Sequence, residues 1–232
     1  MTPSQWGWRV PAACVALSAI PILAGAARLV ELAGGPQVIP SQTRFAACPL
    51  PVVVHIIGAT VYAVLGAFQF AAGFRRRRPG WHRAAGRVLV LAGAAVAGSA
   101  LWLTVFLPPQ PGSGPLLFVL RLVFAPAMLG GLGLGVAAIR RGDVAAHRAW
   151  MTRSYAIALA AGTQAFTEGV GGALLGDSPF VLDVSRGTAW VLNLAVAEWV
   201  LHRDAPDLDV DRHPDGTGPS PGRPAPGHIP AM

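Results

Sequence analysis

The strongest constraint on this chain is a series of six apolar stretches, each long enough to cross a lipid bilayer as a helix. A bilayer core of about 30 Å requires about 20 apolar residues in helical conformation. Such stretches occur near residues 11–32, 50–74, 87–107, 115–139, 153–174 and 186–202. Glycines blur the end of the fifth stretch, and Arg186 opens the sixth. The sequence therefore predicts an all-α integral membrane bundle of about six transmembrane helices.

The composition excludes a soluble domain of the same length. Apolar residues make up 53% of the 232 residues, charged residues only 12%, and the mean hydropathy is +0.50. A soluble domain carries roughly 25% charged residues, because water must wet its surface. The net charge is +7, and all 18 basic residues are arginine. The positions of these arginines therefore decide how the helices are oriented.

Arginine is distributed very unequally between the two sets of predicted loops. Twelve arginines fall on one side, including the run Arg75–Arg78, against only Arg44 and Arg186 on the other. Cytoplasmic loops carry the excess of positive charge, so both termini are predicted to be cytoplasmic. We expect a multi-pass protein of the bacterial inner (plasma) membrane. Anionic lipid headgroups are the expected partner of the Arg75–Arg78 turn, and no nucleic-acid partner is expected.

The two ends of the chain and its cysteines complete the predicted organisation. The first apolar stretch is too long for a signal peptide, so it is interpreted as a retained helix. Residues 203–232 are rich in Asp, Pro and Gly without apolar periodicity, which predicts a disordered cytoplasmic tail after a transmembrane domain of residues 1–202. Cys14 and Cys48 are expected at opposite membrane surfaces, too far apart for a disulfide.

Helical spacing indicates which faces point into the bundle. On the second predicted helix, polar and small residues recur every three or four positions; these are His55, Gly58, Tyr62, Gly66, Gln69 and Gly73. Small residues allow close helix packing and polar ones avoid lipid, so this stripe is predicted to face inward. Gly131 and Gly135 form a similar packing pair on the fourth helix. The fifth helix aligns Arg153, Gln164 and Glu168 on one side.

A short internal repeat relates two of the predicted hairpins. An arginine-rich turn precedes WHRAAGR, at residues 81–87, and a second one precedes HRAWMTR, at residues 147–153. The two hairpins have the same orientation, so a pseudo-twofold axis along the membrane normal would relate them. His82 and His147 occupy matching positions, and such symmetry would bring them face to face. Chance similarity is the alternative explanation for so short a pattern.

Two segments carry a family resemblance. Residues 55–87, HIIGATVYAVLGAFQFAAGFRRRRPGWHRAAGR, and residues 147–164, HRAWMTRSYAIALAAGTQ, resemble a bacterial membrane family known as domain of unknown function 2306. The resemblance covers roughly residues 10–202. It implies a multi-helix bacterial inner-membrane protein and implies no activity.

Polar residues at membrane depth are the candidate functional residues, because burying them in a bilayer is costly. Those toward the outer side are Arg28, His55, Arg121, Gln164 and Glu168. Those toward the cytoplasmic side are Gln69, His82, His147, Arg153 and Glu198. No catalytic triad, phosphate-binding loop or zinc-type Cys/His cluster occurs, so no metal site is predicted and catalytic residues, and whether the protein is an enzyme, stay open.

The cytoplasmic group supports a haem hypothesis. Histidine is a common axial ligand of haem iron, and His82 and His147 would hold one haem b between helices. Transmembrane b-type cytochromes use two histidine pairs, whereas His55 has no histidine partner on the fourth helix, which limits this chain to one haem. The alternative is that both histidines lie at the interface, each beside an arginine that contacts lipid phosphate.

The outer group leaves three explanations open. Arg28 and Arg121 lie near helix ends and could extend to the interface. Glu168 could instead pair with one of them inside the bundle. A third explanation is a pocket for a quinone, a lipid headgroup or a small solute, with His55 as proton acceptor.

Three functions therefore remain as hypotheses. The first is haem-linked electron transfer, the second is small-solute or proton-coupled transport, and the third is a non-catalytic role through partner or lipid contacts.

Overall fold

The computed structural model describes residues 3–40 and 42–203. Within these ranges the chain is helical and contains no strand. The helices are α1 (Pro3–Leu32), α2 (Leu50–Gln69), α3 (Ala72–Arg77), α4 (Pro79–Phe106), α5 (Pro115–Arg140), α6 (Val144–Leu175) and α7 (Pro179–Arg203), with a 3-10 turn at Thr43–Phe45 between α1 and α2. The predicted tail, apart from Arg203, lies outside the described residues.

Six long helices pack as antiparallel neighbours. α2 packs between α1 and α4, α5 packs between α4 and α6, and α7 packs mainly against α6. α1 also contacts α6, which closes the bundle. The turns at Arg75–Arg78 and Arg140–Gly142 therefore lie at one end, together with Arg203; we call this the arginine-rich end. The connections near residues 33–49, 107–114 and 176–178 lie at the opposite end.

The predicted membrane bundle is confirmed, with five helices that meet the length and hydropathy of a membrane span. These five are Trp8–Leu32, Leu50–Gln69, Pro79–Phe106, Pro115–Arg140 and Pro179–Arg203. α6, the sixth predicted span, is 32 residues long but carries more polar residues. Large apolar side chains such as Leu23, Leu91 and Leu174 are about three-quarters exposed, at 69%, 73% and 76%. A bilayer is the environment that suits such a surface.

Several predicted helix boundaries were wrong, because arginines inside helices were interpreted as loop residues. α4, α6 and α7 begin at Pro79, Val144 and Pro179, whereas the sequence predicted starts near 87, 153 and 186. Proline suits a first helical position, where no N–H partner is needed. Asp143 accepts a hydrogen bond from Ala146 N at 2.9 Å and so caps α6. The predicted helix 50–74 ends at Gln69, and the short helix α3 follows.

The central part of the predicted inward stripe of α2 lies in the bundle core, whereas Gly73, predicted to continue the stripe, lies in α3. Gly58, Tyr62 and Gly66 are buried. A Cβ added at Gly66 would lie 2.3 Å from the Tyr155 ring, and one added at Gly93 would lie 2.7 Å from the Tyr62 ring. The packed cluster consists of Tyr62, Leu89, Ala97, Ala125, Met128, Leu132, Tyr155 and Ile157. Glycines thus let the aromatic side chains pack directly against neighbouring helix backbones.

The short repeat corresponds to equivalent helix starts. His82 is the fourth residue of α4, and His147 is the fourth residue of α6. The His82 N–H donates to Arg78 O at 3.1 Å, and the His147 N–H donates to Asp143 O at 3.0 Å. Cys14 and Cys48 are both free thiols.

The contact between α1 and α6 yields a packing prediction. A Cβ at Gly162 would lie 2.1 Å from the backbone oxygen of Leu17, so Gly162→Ala must push the two helices apart. We expect it to lower the free energy of unfolding by about 1–3 kcal/mol, measured by dodecyl sulfate titration in mixed micelles. Gly169→Ala on the same helix meets nothing within 4 Å and serves as the control. Equal destabilisation by both substitutions would contradict the close contact.

Candidate functional site: a polar chamber and its vestibule

A cavity of about 280 Å³ lies between α2, α4, α5, α6 and α7. Six charged, imidazole or amide side chains of the described residues line it: His55, Gln110, Arg121, Gln164, Glu168 and Arg186. We call this cavity the polar chamber. The rest of its wall is mainly apolar and aromatic and includes Ala59, Ala97, Leu117, Phe124, Met128, Tyr155 and Trp190. A few polar groups in an apolar cavity are typical of a small-molecule site.

A second cavity of about 490 Å³ adjoins the chamber at the opposite end from the arginine-rich end. We call it the vestibule. Its polar lining consists of Arg44, Thr104, Gln110, Ser113 and Arg121, and no Asp or Glu is among its lining residues. Gln110, Leu117 and Arg121 line both cavities, so they form the boundary between them.

Arg121 stands at that boundary without an acidic partner. Its Nη2 donates to Gln110 Oε1 at 2.9 Å, and no carboxylate lies within ion-pair distance of it among residues 3–40 and 42–203. Asp183 and Glu168 act on it only as more distant charges, and so do the cations Arg44 and Arg186. Arg121 thus presents a guanidinium to both cavities.

Arg186 belongs to a buried charge network and was missed by the sequence analysis. Its Nη2 donates to Glu168 Oε2 at 2.9 Å, and its Nη1 lies 3.7 Å from Asp183 Oδ1. Asp183 is 0% exposed, and its Oδ2 accepts from Gly114 N at 3.0 Å and from Leu117 N at 2.9 Å. A carboxylate from α7 therefore caps the N-terminus of α5, where the helix dipole favours negative charge.

The expected partner of Glu168 must be corrected. The sequence analysis considered Arg28 or Arg121, whereas Glu168 pairs with Arg186. Arg186 was assigned to a loop because the start of α7 was placed seven residues late. The spacing of Asp183 and Arg186, three apart on a helix, is the sequence signal that would have pointed to this network.

His55 is oriented by α4. Its Nδ1 lies 3.1 Å from Val96 O and 3.1 Å from Ser99 Oγ. A carbonyl only accepts, so Nδ1 carries the proton and donates, which leaves Nε2 of the neutral ring as an acceptor. Gln164 is held in turn by a 3.4 Å hydrogen bond from its Nε2 to Arg186 O.

Arg28, the remaining residue of the predicted outer group, lies outside the chamber. It is buried, forms an ion pair with Glu31 and donates to Pro40 O at 2.7 Å. It thereby fixes the segment that follows α1. In the connection between α1 and α2, burial lowers the pKa of Arg44, and the charge of Arg28 lowers that pKa further. The Arg44 guanidinium also donates to Pro108 O at 3.0 Å.

An aromatic cluster closes the chamber on the side of the arginine-rich end. Tyr155 donates to Ala63 O at 2.7 Å, and its ring centroid lies 5.8 Å from that of Tyr62 and 5.1 Å from that of Phe70. Tyr62 and Tyr155 are 4% and 6% exposed. We call these three residues the aromatic closure. The chamber thus adjoins the vestibule at one end and is bounded by these packed aromatic rings toward the other.

The residues of the predicted cytoplasmic group lie at the arginine-rich end. Arg153 forms a two-pronged ion pair with Glu198, at 2.5 Å from Nε and 2.9 Å from Nη2, which joins α6 to α7. His147 Nδ1 donates to Gly135 O at 2.8 Å. His82 Nδ1 and both polar atoms of Gln69 are buried and have no hydrogen-bond partner among residues 3–40 and 42–203.

The two histidines do not line either cavity. The bond from His147 to Gly135 is typical of ligand histidines, whose second nitrogen donates to a fixed acceptor. His82 lacks that arrangement, and Gly135 packs closely against Met151 of α6. No group of three or more His, Cys, Asp or Glu residues suited to a metal ion occurs in the described part of the chain. The histidine arrangement therefore gives haem ligation no further support.

Apolar helices around a chamber with a few converging charges define the class: a helical membrane protein with an internal polar cavity. Residues 52–201 match the family described as predicted membrane protein (DUF2306), and the chain belongs to this family. No curated protein and no solved structure matches it.

The cap that Asp183 provides gives a second prediction. Asp183→Ala removes the acceptor of two α5 amides and leaves Arg186 with one acidic partner. We expect the free energy of unfolding to fall by about 3–5 kcal/mol. Asp143→Ala removes the exposed cap of α6 and should cost only about 1 kcal/mol. The same dodecyl sulfate titration compares them, and equal losses would contradict the buried network.

Proposed function

We propose that this protein is a small-solute carrier that binds an amphipathic monoanion in the polar chamber. The observation that carries this proposal is Arg121, which lines both cavities and has no carboxylate within ion-pair distance among the described residues. A charged group within a membrane bundle is costly unless it is paired. Among the other arginines at this end of the bundle, Arg28 and Arg186 each have an acidic partner, whereas Arg44 lines only the vestibule and donates to Gln42 Oε1 and Pro108 O. An anionic ligand would give the Arg121 guanidinium the acidic partner that Arg28 and Arg186 already have.

The pairing of charges in the chamber leaves one guanidinium available to an anionic group. Both nearby carboxylates, Glu168 and Asp183, lie closest to Arg186, at 2.9 Å and 3.7 Å. Arg121 is the cation of the chamber lining that has no described carboxylate within ion-pair distance. A guanidinium binds a carboxylate through two parallel hydrogen bonds, so a monocarboxylate suits it.

The apolar wall indicates the rest of the ligand. Phe124 and Trp190 stack at 4.7 Å between ring centroids, and both line the chamber. A cavity of about 150 Å³ holds benzene, so about 280 Å³ suits a ligand of roughly ten non-hydrogen atoms. An aromatic monocarboxylate such as phenylacetate has this size and character.

The route through the bundle supports a carrier. The vestibule leads to Arg121 from one end, while the aromatic closure blocks the other end. This arrangement is that of a site accessible from one side of the membrane. By the distribution of arginine, the blocked end is proposed to face the cytoplasm of a bacterial inner membrane. In this orientation the exposed Arg75–Arg78 turn contacts anionic headgroups.

Phenylacetate binding tests the proposal with a matched neutral ligand. Full-length protein in neutral detergent should bind phenylacetate by calorimetry and bind phenylacetamide at least about tenfold more weakly, because only the anion pairs with Arg121. Arg121→Gln should weaken phenylacetate binding by about tenfold or more.

Arg28→Gln is the matched control for that substitution. Arg28 is a buried arginine near the same end, but it does not line either cavity. It should leave phenylacetate binding unchanged in the folded protein. Equal loss with both substitutions, or equal binding of the acid and the amide, would remove the case for Arg121 as the anion site.

We propose that His55 supplies the proton acceptor that accompanies the anion. The charged groups around the chamber are Arg121 from α5, Glu168 from α6, and Arg186 with Asp183 from α7. α4 contributes the neutral partners Val96 O and Ser99. A proton on Nε2 would offset the charge of the anion that binds at Arg121. In proteoliposomes, an inward proton gradient should stimulate phenylacetate uptake, and His55→Gln should abolish that stimulation while retaining binding. Gradient-independent uptake by the unaltered protein would exclude this role.

A further inference from the structure

Unsatisfied polar atoms mark a second place in the molecule, distant from the chamber. Five buried side-chain atoms lack a hydrogen-bond partner in the described part of the chain. Two of them, on Asp183 and Arg186, face each other at 3.7 Å in the charge network. The other three are Nε2 and Oε1 of Gln69 and Nδ1 of His82. Buried polar atoms are rarely left without a partner in folded proteins, so these three call for one.

Arg75 forms a hydrogen bond with Gln69 and acts on His82 through its charge. The Arg75 Nη1 donates to the backbone oxygen of Gln69 at 3.3 Å. Arg75 and His147 are the charged or titratable groups that act on His82. His147 directs its Nδ1 to Gly135 O at 2.8 Å, which leaves its Nε2 available. This neighbourhood therefore holds an amide, a guanidinium and imidazole nitrogens.

We propose that Gln69, Arg75 and His82 form a binding site for a phosphate group at the arginine-rich end, with His147 at its edge. A phosphate oxygen accepts from the Gln69 amide, from Arg75 and from an imidazole N–H. Gln69 Oε1 requires a donor, which a hydroxyl beside the phosphate supplies. The headgroup of phosphatidylglycerol and free hydrogen phosphate both have this chemistry.

The surroundings favour an anion over a metal ion. Arg75, Arg76, Arg77 and Arg78 are all exposed next to the site, and their positive charge repels a cation. A cluster of aromatic rings lies beside them: Phe74 is 4.8 Å from Trp81 and 6.4 Å from Trp8 between centroids. Tryptophan and arginine together are typical of the depth of lipid headgroups. This inference does not depend on the proposed carrier function.

Thermal unfolding of the full chain in neutral detergent tests the site. Phosphatidylglycerol is added in one arm, zwitterionic phosphatidylcholine in a second, and inorganic phosphate in a third. We expect phosphatidylglycerol to raise Tm by about 2–4 °C and phosphatidylcholine to leave it unchanged. An equal rise with inorganic phosphate identifies the free ion as sufficient, and a rise with the lipid alone identifies the headgroup.

Two arginines of α3 give a matched pair of variants. Arg75→Gln should remove at least half of the rise in Tm, because Arg75 is bonded to Gln69. Arg77→Gln removes the same charge from another exposed arginine of α3 and should leave the rise in Tm unchanged. Gln69→Leu should also abolish the rise. Its Tm without ligand should not fall, because the substitution removes two unsatisfied atoms. A Tm without ligand that does not fall would show that the variant has lost binding and has kept its stability.

Three results would overturn the proposal. The first is no rise in Tm with either phosphatidylglycerol or phosphate. The second is an equal loss with Arg75→Gln and Arg77→Gln, which would indicate diffuse attraction by the arginine turn. The third is a Soret band in the purified protein that His147→Ala removes, which would assign these histidines to haem.

Discussion

Most of this structure depends on how a membrane bundle accommodates arginine. A guanidinium cannot lose its proton under ordinary conditions, so each one below the membrane surface needs acceptors. Arg28 receives them from Glu31 and a backbone carbonyl, and Arg153 receives them from Glu198 across two helices. Arg186 receives them from Glu168. Among the described residues, the acceptor of Arg121 is the neutral side chain of Gln110, and this difference is the basis on which Arg121 is proposed as the anion-binding group.

Asp183 connects the chamber to the fold itself. Its two carboxylate oxygens have different partners. Oδ2 accepts from the backbone amides of Gly114 and Leu117 at the start of α5, and Oδ1 lies 3.7 Å from Arg186 Nη1. The same carboxylate therefore holds α7 to the start of α5 and keeps Arg186 beside Glu168. Because α5 also carries Arg121 two turns further on, the position of the proposed anion site depends on this cap. Fold stability and site geometry are coupled here through one residue.

The sequence predicts the architecture well because membrane insertion depends on local properties. Apolar length predicted the helices, and the α2 stripe of Gly58, Tyr62 and Gly66 was correctly assigned to the core. The sequence also predicted a similar membrane depth for four residues that line one cavity in the structure: His55, Arg121, Gln164 and Glu168. Arg28 has a similar depth and a different environment, because depth does not specify which helix face looks inward or where the next connection runs.

The partners of these residues are harder to predict than their depth. The pairing of Glu168 with Arg186 depends on how α7 lies against α6, which is a tertiary property. The error at Arg186 arose from treating charge as a sign of a loop, although Asp183 and Arg186 lie on one helix and neutralise each other. Likewise, the position of His82 and His147 at equivalent helix starts was visible in the repeat, whereas the contact of His147 with Gly135 was not.

The aromatic closure explains why the two candidate sites are separate. Tyr155 packs against a helix backbone that has no side chain at Gly66, and its hydroxyl is bound to Ala63 O. Tyr62 packs in the same way against Gly93. Opening this route would require the rings to leave surfaces that fit them closely, and a hydrogen bond would break in an apolar environment. The closure is therefore a defined barrier, and passage of a solute would need α6 to move relative to α2. The contacts of α6 with α1 at Gly162 and with α7 through Arg153 and Glu198 then determine how far such a movement can extend.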